Sequence, residues 1–354
     1  MRIVAAILAL AAACAGVAGP ARAAPTSACA ATDKPCLLEL QKASPVRTAA
    51  FWRPYLARPL AGRMGPAPEA VVEFLGTDNL IQGFAEKPRP GRLTPDFEAD
   101  VRGAIADLPP AVRRVLGENF AGVWFVDDLG GTGFTDMFHD GSDRPVGGYI
   151  VLDAAVLAKF TANAWATWKE NTPFKAAKGW SLTARIEDAA GDNRRGAIGY
   201  ILMHELGHVL SINRDVHPRW DREPRETPEG ALFPFYDLSW TVDRKANRFV
   251  SRFDGDFPLR RSVAYYRQPQ IAASDMVAVY DALAATDFPT LYAATSPGDD
   301  FAESFVSYVH TVLMKRPWEI TIRHDGKVVK TYRTCWREPR CAAKRTILES
   351  LLRL

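Results

Sequence analysis

The spacing of hydrophobic residues changes along the chain between the periods of strands and helices. Two runs at 121–127 and 148–153 are rich in β-branched and aromatic residues, which predicts two strands. Alternating residues at 318–332 flank Asp325-Gly326, which predicts a β-hairpin closed by a type I′ turn. Helical spacing predicts further segments at 95–106, 109–116, 154–168, 195–212, 241–252, 273–285 and 299–314, and a short helix after Cys341. This mixture predicts an α+β fold.

Residues that interrupt regular structure divide the chain into three parts. Proline, glycine and arginine are dense at 43–95, which is typical of irregular surface structure. A charged, proline-rich stretch at 213–234 predicts a long loop after the longest predicted helix. We therefore expect an N-terminal irregular extension at 24–95, a central domain at 96–315, and a C-terminal hairpin and helix at 316–354 that pack on it as appendages.

The first 23 residues have the pattern of a secretory signal peptide. Arg2 precedes an apolar run, and the small-residue sequence Ala21-Arg22-Ala23 ends it. The run is shorter than the roughly 20 apolar residues that cross a bilayer as a helix, so we expect cleavage after Ala23. A second interpretation is a lipoprotein signal in which Cys14 becomes the acylated N-terminus. No later stretch predicts a membrane span, and we expect a periplasmic or secreted protein.

Charge and cysteine content narrow the range of partners and compartments. Cleavage would remove two arginines and lower the formal net charge from +3 to +1, with 42 basic residues against 41 acidic ones. This balance gives no electrostatic basis for a nucleic-acid partner. Four cysteines would remain in two near pairs, Cys29 with Cys36 and Cys335 with Cys341. In an oxidising compartment we expect each pair to form a disulfide that pins one end of the chain.

Residues 204–208 read His-Glu-Leu-Gly-His within the predicted helix at 195–212. Positions four apart lie on one helix face, so His204 and His208 can bind one metal ion. Imidazole ligands suit zinc, and a catalytic zinc site needs a third protein ligand and one open position. Glu205 would lie beside the ion, where it can accept a proton from activated water as general base. The motif predicts a hydrolase with one Zn²⁺ per chain; the alternative is a helix whose histidines only form hydrogen bonds.

A third ligand has to come from another segment. Metzincins carry glycine and histidine where this chain has Ser211 and Arg214, which excludes that class. His217 in the predicted loop is a weaker candidate than the segment at 292–305, which contains Asp299 and Glu303. Around this segment and the first motif, the sequence resembles the gluzincin metallopeptidases. It is most similar to the group related to anthrax toxin lethal factor and to bacterial zinc-binding peptidases.

The resemblance covers two short islands and implies a zincin-like core, with a small sheet, the motif helix and a second ligand helix. The family's ligand glutamate falls on Asp299, and its supporting acid falls on Glu303. Because aspartate is one methylene shorter, either the second helix lies closer or Glu303 becomes the ligand, and both stay candidates. The resemblance also assigns Tyr292 to the oxyanion of the tetrahedral intermediate. His310, two turns beyond Glu303, is expected to be packed rather than a ligand.

Three functions are consistent with these residues. The first is hydrolysis of a protein or peptide substrate, and retention of Glu205 favours it. The second is hydrolysis of amide bonds in cell-wall material, although the chain shows no recognisable wall-binding module. The third is a binding protein on an inactive metallopeptidase scaffold. In that case, the aspartate at Asp299 in place of the family's glutamate would indicate that catalysis has been lost. For a peptide substrate we expect pairing with an edge strand, for which 148–153 is our choice.

Overall fold

The computed structural model describes residues 29–116, 119–230 and 232–353, so the predicted signal peptide and Cys14 lie outside the described residues. The described chain is an α+β structure, as predicted. Its helices are α1 (Lys34–Lys42), α2 (Ala49–Leu56), α3 (Glu69–Gln82), α4 (Pro95–Ala106), α5 (Pro110–Leu116), α6 (Ala154–Leu157), α7 (Ala162–Asn171), α8 (Arg194–Ser211), α9 (Tyr236–Ser239), α10 (Met276–Ala284), α11 (Pro297–Tyr308) and α12 (Ala342–Leu352). Its strands are β1 (Met64–Pro66), β2 (Arg89–Pro90), β3 (Phe120–Asp127), β4 (Gly133–His139), β5 (Pro145–Asp153), β6 (Phe174–Lys175), β7 (Trp180–Arg185), β8 (Trp240–Asp243), β9 (Arg248–Ser251), β10 (Ile271–Ala272), β11 (Glu319–His324) and β12 (Lys327–Arg333). Within these residues, no helix has the length and apolar character that a membrane crossing requires.

A mixed five-stranded sheet lies at the centre of the fold. Its order is β1-β3-β5-β4, and β2 pairs antiparallel with β3. Strands β1, β3 and β5 run parallel, whereas β4 returns antiparallel to β5. Strand β4 is therefore an edge strand and β5 is internal, so the choice of 148–153 as an edge strand was wrong. The reason is that 133–139, for which the sequence analysis predicted no strand, is itself a strand and pairs with the outer side of β5.

Both faces of the central strands are buried, because successive side chains point to opposite sides of the sheet. Val123 and Phe125 on β3 belong to the main core beneath α4 and α8, whereas Trp124 belongs to a second cluster under α2 and α3. In that second cluster the ring of Trp52 stacks on Tyr149, with ring centroids 4.5 Å apart. The sheet thus lies between two helical layers.

The N-terminal segment supplies one of those layers, so the prediction of irregular structure at 43–95 was wrong for much of its length. Helices α2 and α3 form there even though Pro54 lies inside α2. Trp52 is completely buried and Phe74 nearly so. Burial of these apolar side chains on the sheet outweighs the density of helix-breaking residues. Gly83 follows the last residue of α3, and its φ of +81° suits the cap of a helix C-terminus.

The C-terminal hairpin forms as predicted. Asp325 and Gly326 have φ values of +48° and +76°, as a type I′ turn requires. Strand β11 also pairs antiparallel with β7, so the hairpin extends a strand that precedes α8. Beyond it, Lys344 on α12 forms a buried ion pair with Asp300 on α11, at 2.6 and 2.8 Å to its two carboxylate oxygens. The C-terminal segment is therefore in direct contact with the second predicted ligand helix.

Both predicted disulfides are present in the structure. Cys29 pairs with Cys36, and Cys335 pairs with Cys341, with Cα–Cα distances of 5.7 and 5.8 Å. These bonds are typical of a protein that folds in an oxidising, exported environment.

Two predicted helices differ from the structure. The segment 241–252 is not a helix but the antiparallel pair β8 and β9, whose turn contains Asn247 at a φ of +48°. Over so short a stretch, the apolar positions fit both the helical and the strand period. The segment forms strands because its two halves pair with each other. The predicted helix at 154–168 is divided into α6 and α7. The predicted helices at 273–285 and 299–314 are present, and α11 continues into a π-helical turn at Val309–Leu313.

Candidate metal centre

The two motif histidines lie one turn apart on α8, a helix that is buried along most of its length. Asn193 caps its start by accepting a hydrogen bond from the backbone N–H of Gly196 at 3.0 Å. The Nε2 atoms of His204 and His208 lie 3.3 Å apart. A tetrahedral zinc ion with bonds of roughly 2.0 to 2.1 Å to nitrogen separates its ligand atoms by about 3.3 Å. The histidine pair therefore has the spacing of zinc ligands.

Helix α11 supplies a third group to this pair. Oδ1 of Asp299 lies 3.9 Å from Nε2 of His204 and 3.8 Å from Nε2 of His208. The three side chains form a cluster that could hold a metal ion. The other oxygen of Asp299 accepts hydrogen bonds from Ser296 at 2.7 Å and Thr295 at 3.1 Å, so Oδ1 remains turned to the histidines. Of the two acids left open by the sequence, Asp299 is the one beside both imidazoles.

The short side chain of Asp299 reaches the histidines because the two helices approach closely. Gly207 on α8 faces Ala302 on α11, and a Cβ atom added to Gly207 would lie 2.8 Å from the Cα atom of Ala302. Real Cβ atoms essentially never approach backbone so closely. The glycine inside the motif thus permits the closer second helix, which is one of the two arrangements expected for an aspartate ligand.

Glu303 lies behind His204 rather than in the metal cluster. Its Oε1 atom is 3.0 Å from Nδ1 of His204, although the N–H is not well aligned with it. Lys169 donates to the same oxygen at 2.9 Å, and Thr290 donates to Oε2 at 2.7 Å. Burial would raise the pKa of Glu303, but Lys169 and His204 hold this pKa well below its ordinary value. Glu303 is therefore placed to orient His204, in the way that carboxylates support metal-binding histidines.

Lys169 is a buried cation that the sequence analysis did not identify. Its ammonium lies 4.4 Å from the ring centroid of Tyr292 and 3.8 Å from the carboxylate of Glu170. Glu170 in turn accepts hydrogen bonds from Tyr265 at 2.9 Å and Tyr280 at 2.8 Å. Burial acts to lower the pKa of Lys169, but the charges of Glu303 and Glu170 raise it above its usual range. Lys169 therefore stays charged and neutralises the acids behind His204.

Glu205 is buried against the edge strand β4. The hydroxyl of Thr135 donates to its Oε2 atom at 2.7 Å. A Cβ atom at Gly133 would lie 2.3 Å from its Oε1 atom, so the absence of a side chain there leaves room for the carboxylate. Burial raises the pKa of Glu205, while the charge of His204 and the hydrogen bond from Thr135 lower it. The carboxylate is thus held in a fixed orientation next to the candidate metal ligands.

Tyr292 stacks on His204, with ring centroids 5.5 Å apart and an angle of 26° between the rings. Burial raises the pKa of Tyr292 well above its ordinary value, so the phenol keeps its proton. Tyr292 and Asp299 line a cleft of about 540 Å³ whose walls also include Gly133 and Tyr266. The cleft gives the candidate metal centre an approach from solvent along the start of β4.

The remaining predicted histidines lie outside the cluster. Nε2 of His310 is 2.6 Å from the carbonyl oxygen of Ile186, and its ring packs on Tyr200. His310 is therefore a packed residue, as expected. His217 is buried, and its Nδ1 atom lies 2.7 Å from the carbonyl oxygen of Pro218.

No protein-family model matches the chain, and comparisons with characterised proteins and with solved structures found no match either. The chemistry of the site is accordingly inferred from its own residues.

Proposed function

We propose that the protein is an exported zinc metallopeptidase with a zincin-like core of the gluzincin type. The observation that carries this proposal is the cluster of His204, His208 and Asp299, whose ligand atoms all lie within 4.8 Å of one another. Two imidazoles and one carboxylate are a donor set typical of catalytic zinc, and they leave a fourth position open. The two histidines have the tetrahedral spacing, and Asp299 is about half an ångström farther away, a small adjustment for one side chain.

Each residue around this cluster has a role in amide hydrolysis. When bound, zinc supplies Lewis-acid chemistry that polarises a carbonyl group and acidifies water. Glu205, oriented by Thr135, accepts the proton from the attacking water and passes it to the leaving nitrogen. Tyr292, which stays protonated, donates a hydrogen bond to the oxyanion as its charge develops. Glu303 and Lys169 hold the ring of His204 in place during this sequence.

The natural substrate in this proposal is a protein or peptide that enters the cleft beside β4. An extended peptide would lie next to the edge strand, between the glycine-rich turn before Gly133 and the segment that carries Tyr266. Export agrees with the two disulfides and with the predicted signal peptide at the start of the chain.

The decisive experiment is cleavage of a diverse peptide library by the purified mature protein, with the Glu205→Gln variant beside it and zinc measured in both. We expect one zinc per chain in both proteins and a loss of activity of roughly 10²-fold or more in the variant. If the zinc-loaded wild type cuts no peptide, the peptidase proposal is wrong, and hydrolysis of cell-wall amides or an inactive binding scaffold is favoured instead. Protein that binds no zinc would refute the metal centre itself.

A further inference from the structure

A second cavity, of about 620 Å³, lies at the C-terminal end of α8 beyond the candidate metal centre. Its walls come from β4, the start of β5, and the loop that follows α8. Three guanidinium groups line it, from Arg144, Arg214 and Arg219, against the single carboxylate of Asp215. We call this cavity the arginine pocket. Two of these guanidinium groups are paired with acids outside the lining, and the third, that of Arg214, is the cation left for a ligand.

Arg214 differs from the other two arginines because no carboxylate in the described part of the chain pairs with it. Arg144 pairs with Asp140 at 3.2 Å and Arg219 pairs with Asp221 at 2.7 Å. Nε of Arg214 donates to a backbone carbonyl of α8 at 2.8 Å, but among the described residues its terminal nitrogens have no carboxylate partner. Burial, together with the nearby charge of a second arginine, lowers the pKa of Arg214. A half-buried cation of this kind is stabilised by an incoming anion.

His217 provides a second, independent feature of a binding site. The side chain is only 6% exposed and lines the arginine pocket. Burial lowers the pKa of His217 to about 4, so the ring is neutral near pH 7. Its Nδ1 atom donates to the carbonyl oxygen of Pro218, which leaves Nε2 as an acceptor, and Nε2 is buried without a partner. The pocket therefore has a cation for a carboxylate and, in a buried ring of its lining, an acceptor that has no partner among the described residues.

Trp220 connects this pocket to the candidate metal centre. Its ring centroid lies 5.9 Å from that of His208 and 5.8 Å from that of His217. An extended peptide advances by roughly 3.3 to 3.6 Å per residue, so the rings of His208 and His217 are separated by at most about three residues of such a peptide. A peptide whose amide bond lies at the metal can therefore place a group from one of the next few residues in the arginine pocket.

We propose that the arginine pocket binds a carboxylate of the peptide substrate through Arg214, with His217 accepting a hydrogen bond from an adjacent amide N–H. This inference rests on the proposed peptidase function for its biological meaning, but carboxylate binding can be measured without catalysis. The carboxylate is either an acidic side chain or the free C-terminus, within about three residues of the bond that is cleaved.

The experiment measures peptide binding to the full-length, zinc-loaded Glu205→Gln protein. The probes are short peptides with an amidated C-terminus in which one glutamate is moved through a neutral background, the same peptides with glutamine, and neutral peptides with a free C-terminus. We expect at least one carboxylate peptide to bind roughly tenfold to hundredfold tighter than its neutral counterpart. The scanned glutamate and the free C-terminus distinguish the two sources of the carboxylate.

The Arg214→Gln substitution, added to the same protein, is expected to abolish this preference. Arg252→Gln is the matched control, because Nε of Arg252 also donates to a backbone carbonyl, at 2.9 Å, but the side chain does not line the pocket. Thermal unfolding establishes whether both variants are folded. The carboxylate preference of the parent protein is measured without any substitution in the pocket, so that part of the test does not depend on a variant being folded.

Two results would overturn the proposal. In the first, carboxylate peptides bind no tighter than neutral ones. In the second, the preference survives Arg214→Gln, which would mean that the carboxylate binds the metal instead. Either result leaves the peptidase proposal intact if wild type cleaves peptides. Conversely, a carboxylate preference without any peptide cleavage would support the proposed binding in the arginine pocket and contradict the proposed peptidase activity.

Discussion

Gly207 and Ala302 hold the two helices of the candidate metal centre at a distance that admits no side chain at position 207. A Cβ atom there would lie 2.8 Å from the backbone of Ala302. The Gly207→Ala substitution should force α11 away from α8 and carry Asp299 with it. We expect it to destabilise the protein by about 1–3 kcal/mol, as overpacked cores do, and to weaken zinc binding at least about tenfold.

Gly199, two turns earlier on α8, gives the matched control for this substitution. A Cβ atom there would lie 3.8 Å from Ala104, an ordinary contact, so Gly199→Ala should keep or raise stability, since alanine favours helices. Zinc titration and urea unfolding of both variants test the prediction. Equal zinc affinity in the two proteins would contradict the role of helix spacing.

Lys169 should be essential for stability, because two buried acids depend on its charge. Replacement by methionine leaves Glu303 and Glu170 without their cation, and loss of one partner of a buried pair costs about 3–5 kcal/mol. Adding Glu303→Gln to Lys169→Met should restore part of this loss. Urea denaturation measures both effects.

The control for Lys169 is Lys330→Met on the protein surface. Lys330 pairs with Asp281 at 2.5 Å, but about half of each side chain is exposed, and exposed pairs contribute only about 0–1 kcal/mol. Similar losses from the two lysine variants would show that the buried network around Lys169 does not stabilise the fold.

Asp299 and Glu303 on α11 should differ in their effect on metal binding. Asp299→Asn removes a candidate ligand, whereas Glu303→Gln changes only the group behind His204, a kind of change that costs roughly 10- to 100-fold in affinity. We expect the larger loss from Asp299→Asn in zinc titrations. Tyr292→Phe, which keeps the ring on His204, should leave zinc affinity unchanged. The reverse order for the two acids would identify Glu303 as the ligand.

Asp136 on β4 should make the protein less stable as the pH rises from about 4 to about 6. Burial raises the pKa of Asp136 to about 6 from its ordinary value of 3.8. The folded protein therefore holds this proton more tightly than the unfolded chain, and folding loses stability as the carboxyl ionises. We expect Asp136→Asn to raise the free energy of unfolding at pH 7 by about 1–3 kcal/mol, with little effect at pH 4.

Asp140, in the turn between β4 and β5, should respond in the opposite direction. Hydrogen bonds from Ser142, together with those from Arg144, lower the pKa of Asp140 to about 2. Its ionised form is therefore favoured in the folded protein at neutral pH, and Asp140→Asn should give no gain there. Unfolding curves of both variants at pH 4 and pH 7 distinguish these outcomes. A higher free energy of unfolding for Asp136→Asn at pH 4 would contradict the raised pKa of Asp136.

Local sequence patterns were enough to predict the parts of the fold that depend on neighbouring residues. The motif helix with His204 and His208, the two disulfides and the turn at Asp325-Gly326 follow from short-range spacing. Segments whose conformation depends on distant partners were not predictable in this way. The strands at 240–251 form because they pair with each other, and α2 forms because its apolar face lies on the sheet.

In the candidate site, too, features set by neighbouring residues were predictable and features set by distant partners were not. Asp299 and Glu303 were identified from the sequence, but their different roles depend on the distance between α8 and α11. Lys169 and Thr290, which bind Glu303, come from separate parts of the chain without a recognisable motif. The sequence signal for a buried charge at Lys169 is weak: the lysine follows the mainly apolar stretch 164–168, but half of the residues in its helix are polar.

The ion pair between Lys344 and Asp300 makes completion of the candidate metal centre depend on α12. Asp300 is adjacent to Asp299, and its main counter-charge comes from α12. A chain made from the N-terminus exposes His204 and His208 long before Lys344 exists, and until then α11 contains a carboxylate that is costly to bury. A chain that ends before α12 therefore carries all three candidate ligands but lacks the cation that stabilises α11 beside α8, so the candidate centre is complete only once α12 has been made.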